Sequence, residues 1–125
     1  MLFRSDLRQK AEATMIAGRG LMAENPLAAA QMLLALEFHL GPVQEIAIIG
    51  DPANEETKRV LRVFRKSFRP NQVLALRKPD ADDGGIALLK DKSAQGAVTT
   101  YICQNFACQA PLVGAEAVER HLHSM

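Results

Sequence analysis

The chain has 125 residues, 48% of them apolar and 23% charged, with a formal net charge of +1. That length fits one domain or a small domain with an appendage, and the apolar share supports an ordinary core and excludes wholesale disorder. The near-zero charge excludes a global attraction to nucleic acid or an anionic membrane, and no apolar run approaches the ~20 residues of a membrane span.

The predicted elements before Gly41-Pro42 are all helical. Leu7, Ala11, Thr14/Met15, Gly18 and Leu21/Met22 recur with a period close to the helical one, which predicts a first helix from Ser5 to Ala23. Asn25 reads as an N-cap with Pro26 at the first helical position, so a second helix is predicted from Pro26 to Leu40. Glu24-Asn25-Pro26 is then a tight connection, and the two helices form an antiparallel hairpin. Only Gln31, Glu37 and His39 interrupt the apolar surface of the second helix. A helix apolar all round belongs inside something. The expected partner for this surface is the rest of a parent protein or a second copy, through self-association of the hairpin.

Beyond Pro42 the texture changes. Glu45-Ile46-Ala47-Ile48-Ile49-Gly50 is a short β-branched run that suits a strand buried on both faces. Asp51-Pro52 turns the chain. Asn54, Glu55 and Glu56 open a helix whose inner face is Val60, Leu61, Phe64 and Phe68, ending at Arg69-Pro70-Asn71. A second strand is predicted over 72–77, a polar loop over 78–85 and a helical turn over 86–89. After a loop at 93–96 come a third strand, at 98–103, and a final helix from Gly114 to His123, with Ala115, Val118 and Leu122 inward. Strands alternating with helices predict crossovers and a parallel sheet. The expected fold is therefore α/β, with an N-terminal helical hairpin (1–41) packed on a small α/β domain (42–125). That domain is read as a three-stranded parallel sheet with flanking helices, a Rossmann-like three-layer unit. No internal repeat or low-complexity tract interrupts it.

Cys103 and Cys108 are the first candidates for chemistry. Three readings are open. Free cysteine is so often buried that a pair of packed thiols is favoured. A disulfide or redox pair is the second, because a loop of this length brings Cα atoms within ~6 Å. The third is a zinc site with His121 and His123. Residues two apart on a helix point roughly 200° apart, so both imidazoles cannot face one ion. A thioredoxin-type pair has two intervening residues on a helix N-terminus, whereas four intervene here.

From Lys58 to Lys78 the chain carries Lys58, Arg59, Arg62, Arg65, Lys66, Arg69, Arg77 and Lys78 and no acid. On the helix these cations lie opposite Val60, Leu61, Phe64 and Phe68. A solvated face is the favoured reading, with an anion or an acidic partner as the functional alternative. Nucleic-acid binding is not expected, since exposed aromatics and a groove-reading element are lacking. Gly50-Asp51-Pro52 sits where open α/β sheets hold ligands, yet no phosphate-cradling glycine motif follows, and Glu55 and Glu56 would repel a phosphate. A turn and a cap explain that segment. His39 reads as a helix-end histidine, and no nucleophile, base and carboxylate form a catalytic pattern. No metal or other cofactor is expected. Met1-Leu2-Phe3-Arg4-Ser5-Asp6 has no signal-peptide apolar region, and two cysteines without an export signal read as cytosolic thiols, so a cytoplasmic location is expected.

Three segments together carry a family resemblance: Glu24-Asn25-Pro26-Leu27-Ala28, Glu45 through Pro52, and Tyr101 through Pro111. The chain resembles the C-terminal portion of the thioredoxin-domain-containing, spermatogenesis-associated protein family, widespread in bacteria and also found in animals. The resemblance implies a parent that fuses an N-terminal thioredoxin-like domain to a toroid of α-hairpins similar to sugar epimerases. The hairpin here resembles the last of that toroid, and the α/β part resembles its terminal domain. No catalytic residue of the family maps onto this chain. The implied function is a non-catalytic structural or partner-binding module, and the alternative is a thiol-disulfide oxidoreductase fragment using Cys103 and Cys108.

Overall fold

A computed structural model of the chain describes residues 5–105 and 107–124 and divides into two compact units, Met1–Pro42 and Val43–Met125. The first unit holds α1 (Ser5–Ala17), α2 (Arg19–Glu24) and α3 (Ala30–Leu40). The expected single first helix is broken at Gly18. A Cβ there would lie 2.1 Å from Met32 Sδ, so the glycine admits a side chain of α3 against the break. The second helix starts four residues later than expected. Asn25 still caps, its side-chain oxygen accepting from Ala28 N at 3.3 Å, but the capped segment 26–29 is a turn before α3. Residue 18 lies beside residue 32 and Glu12 beside His39, at 3.8 Å, so α3 runs antiparallel to α1 as expected of a hairpin.

The second unit is a mixed five-stranded sheet. Its strands are β1 (Gln44–Gly50), β2 (Gln72–Arg77), β3 (Val98–Gln104), β4 (Ala107–Cys108) and β5 (Leu112–Val113). The order is β2-β1-β3-β4, with β5 also pairing β3. The amphipathic α4 (Glu55–Arg65) connects β1 to β2, and these strands pair in parallel with Ile46 beside Leu74 and Ile48 beside Leu76. The final helix, α5, spans Ala115–His123. Ile46, Ile48, Val98 and Ile102 form one sheet face, packed against Val60 and Phe64 of α4 and Ala115 and Val118 of α5. Gly50 allows this closeness, since a Cβ there would lie 2.6 Å from Thr57 Oγ1 in the first turn of α4. On the other face Ala47 and Ile49 are covered by Leu88 and Leu89, the latter two in a 3-10 turn over Ala87–Leu89. As expected, the middle of β1 is buried on both sides.

Two features of the expected fold are corrected. β3 runs antiparallel to β1, with Val98 opposite Gly50 and Gln104 opposite Gln44, so the three strands are not a parallel sheet. The helices cover one face only, so the unit is two-layered there and not a Rossmann-like three-layer sandwich. The physical reason lies in the 78–97 connection, which contains no crossover helix. The Arg77 guanidinium, at the end of β2, donates to the carbonyls of Pro79, Ala81 and Lys92. It thereby holds both ends of the connection at the carboxyl end of β2. The Tyr101 hydroxyl donates to Ser93 O at 2.8 Å, and Thr99 Oγ1 accepts from Gln95 N at 2.7 Å. The chain re-enters the sheet at the end it left, and a strand that does so must run antiparallel.

Candidate functional site

The cysteine pair is built by a hairpin. β3 carries Cys103 to the rim of the sheet, Asn105 turns the chain with φ of 51°, and β4 brings Cys108 directly opposite Cys103. Asparagine tolerates this left-handed backbone better than most residues, which is why it suits a tight hairpin. The two sulfurs are bonded, with Cα atoms 3.9 Å apart. Of the three readings of the pair, the structure selects the disulfide over packed free thiols. Cys103 is buried at 4% exposure while Cys108 is exposed. Cys108 lies on a strand rather than in the expected loop, and Phe106 of the same motif lies outside the described residues.

The chemistry of this position is not that of a thioredoxin-type site. Neither cysteine sits at a helix N-terminus, where the helix dipole would lower a thiol pKa. Cys103 is instead the register neighbour of Glu45 on β1. The zinc set is also not assembled. The sulfurs are consumed by the bond, and His123 Nδ1 lies 2.7 Å from Glu119 O. Among the described residues no group of histidine, cysteine and carboxylate side chains converges as a metal site.

The basic residues divide into two kinds. Lys58 pairs with Glu55 at 2.7 Å, and the Lys58 hydrogen bond holds the Glu55 carboxyl below its ordinary pKa. Arg59 makes a two-pronged pair with Glu119, joining α4 to α5, with Nε 2.6 Å from Oε1. That hydrogen bonding lowers the Glu119 pKa and raises that of Arg59. Among the described residues, Arg62, Arg65, Lys66 and Arg69 have no carboxylate within ion-pair distance.

The helix ends at Arg65, short of the expected Arg69, so Phe68 leaves the inner face. It is 89% exposed, in a groove with Arg65, Lys66, Arg69 and Leu74. The four-residue spacing from Phe64 places Phe68 on the inner face of a continuing helix. The signal that contradicts this placement is Pro70, which disfavours helix in the residues before it.

The remaining candidates have structural explanations. Asp51 Oδ1 accepts from Ala53 N at 2.9 Å and Asn54 Oδ1 from Glu56 N at 2.8 Å, so the segment after β1 is a turn and a helix cap, as expected. His39 faces Glu12 in a groove of the helical unit that Met15, Ile16, Met22 and Leu36 also line. Nothing in the sequence marks the two fully buried hydroxyls, on Thr57 and Thr100, that meet no hydrogen-bonding partner among the described residues.

Comparison with known proteins bears on the family. No protein-family model matches the chain, and no solved structure matches it. Over 108 residues the chain is 29% identical to spermatogenesis-associated protein 20 of Rattus norvegicus, 27% to that of Homo sapiens and 28% to that of Mus musculus. Each alignment covers 82% of the chain but only 13–14% of the relative, so the chain spans about an eighth of the length of the curated relatives it matches. The chain is thus similar to a small portion of spermatogenesis-associated protein 20, in agreement with the resemblance carried by its three segments.

Proposed function

We propose that the chain is a non-catalytic, C-terminal module of a longer thioredoxin-fold protein, serving packing and partner binding. The observation that carries the reading is the alignment, which takes in most of the chain and a small part of each relative. The helical unit supports it. α3 exposes Leu34 at 56% and Leu40 at 74%, with Phe38 also open to solvent. Leu34 and Phe38, four residues apart, share one face of the helix, and adjoining apolar exposure of this kind marks interfaces. In the longer polypeptide that face packs against the remaining helices, and in the separate chain it pairs with its own copy about a two-fold axis.

The rival reading is a thiol-disulfide oxidoreductase, favoured by one observation, the disulfide between Cys103 and the exposed residue Cys108. Insulin reduction by the dithiol form of the chain separates the two. The module reading expects no turnover above the background of the reductant, and a thioredoxin-like rate overturns it. No helix among the described residues is long and apolar enough to cross a membrane. A persistent cystine is characteristic of oxidising compartments, so alkylation trapping of the pair in cells also tests the cytoplasmic location. A fully reduced pair supports that location, and a stable disulfide argues against it.

A further inference from the structure

The two edges of the sheet are finished differently. On the β3 side the flanking strands β4 and β5 are two residues each, as is common for protected edges. On the other side β2 runs six residues, Gln-Val-Leu-Ala-Leu-Arg, and among the described residues pairs only with β1. None of the usual guards of an edge strand is present on it. It contains no lysine, proline or acid, and its one charge, Arg77, is turned onto the carbonyls of Pro79, Ala81 and Lys92. Val73 and Leu74, on opposite faces of the strand, are both exposed. In a parallel pair every second residue directs its N–H and C=O away from the partner, so β2 presents a row of backbone groups along about 20 Å.

Beside this edge lies the Phe68 groove. Leu74 belongs to both, and Arg65, Lys66 and Arg69 line the groove with no carboxylate partner among the described residues. An edge that offers main-chain hydrogen bonds, an exposed aromatic ring and unanswered positive charge is the combination that strand addition uses. We infer that the β2 edge and the Phe68 groove bind an extended acidic segment of another polypeptide, which adds as a strand to β2. Of its alternate side chains that face the groove, the apolar ones meet Phe68 and Leu74 and the carboxylates meet Arg65, Lys66 and Arg69. A second copy of this chain is a poorer occupant, because the strand it would present lies in the acid-free segment from Lys58 to Lys78. A nucleic acid would use the cations but leave the backbone row of β2 unpaired.

This assignment rests on the partner-binding reading and sharpens it. The test is titration of the isotope-labelled chain with an acetylated seven-residue peptide whose groove-facing alternate positions carry glutamate and valine in turn, with threonine between them, followed by backbone NMR. The expected result is saturable shifts over residues 73–76, with slowed amide exchange at the alternate residues whose N–H faces away from β1. Binding should weaken about tenfold or more in the double variant Arg65→Glu, Lys66→Glu, whose altered side chains are solvent-exposed, and in the same peptide with lysine in place of glutamate. Equal binding of the lysine peptide overturns the proposal, as do shifts that map away from β2 and the groove. So does protection of the β2 amides by dimerisation without peptide, or an oligonucleotide that occupies the cations while the acidic peptide leaves β2 unshifted. The insulin assay judges the module reading separately, so a peptide that does not bind removes the edge assignment alone.

Discussion

α3 and β1 are comparably apolar runs with opposite fates. From Ile46 to Gly50 every residue of β1 is buried, whereas α3 contains no buried residue. The difference is geometric. A strand has two faces, and here α4 and α5 cover one while the Leu88-Leu89 turn covers the other. A helix presents its side chains all round, and a small hairpin covers only one stripe of them. Hydrophobicity measures what a segment gains from burial, and the number of neighbours determines how much of that gain is realised.

The largest effect that tests this contrast is a truncation in β1. Ile48→Ala removes a fully buried side chain and should cost about 2–5 kcal/mol. Urea unfolding followed by the emission of Tyr101, the only tyrosine in a chain without tryptophan, reports the sheet unit directly. A cost under about 1 kcal/mol would show that the β1 core is looser than its burial implies.

Next in size is the disulfide. Replacing Cys103 and Cys108 together by serine should cost about 2 kcal/mol, the loop-closure value for so short a ring. The same unfolding curves measure it. No change would mean that the β3–β4 hairpin holds its shape without the bond.

In α3 the expectation reverses. Leu34→Glu should change stability by about 0.5 kcal/mol or less, since the side chain is largely exposed. It should nevertheless abolish self-association, measured by sedimentation at micromolar concentration. A wild-type chain that is already a monomer would break the proposed interface on α3.

The smallest effect concerns the Arg59–Glu119 pair. Its hydrogen bonding lowers the Glu119 pKa below the ordinary 4.5. The pair therefore adds stability above that pH, and the contribution is lost as pH falls through the lowered value. Both side chains reach solvent, so salt screens the pair. Glu119→Gln should flatten the acid side of the stability profile slightly at low ionic strength and leave it unchanged at high salt.

Most elements of the fold were legible because their signals are local. β1 is marked by its β-branched run, α4 by Asn54 with Glu55 and Glu56, and α5 by the inward spacing of Ala115, Val118 and Leu122. Gly18 fits the apolar stripe of a continuous helix, and its role as a break that admits Met32 depends on a residue fourteen positions away. The candidate site was half legible. The two cysteines and the basic run stood out by composition, but which cations find acids did not, since Glu119 meets Arg59 across sixty positions.

The sequence by itself determined that β1, β2, β3, α4 and α5 form in the second unit and that Val60 and Phe64 of α4 and Ala115 and Val118 of α5 turn inward, because period and capping act within one or two turns of chain. The direction of β3, the bonding of Cys103 to Cys108 and the exposure of Phe68 were decided only in three dimensions. Arg77 gathers carbonyls from both ends of a long connection and so sets the end at which β3 enters. Antiparallel register then places the two cysteines opposite each other. With α4 ending at Arg65, Phe68 is left beside the open edge of β2, where no strand follows.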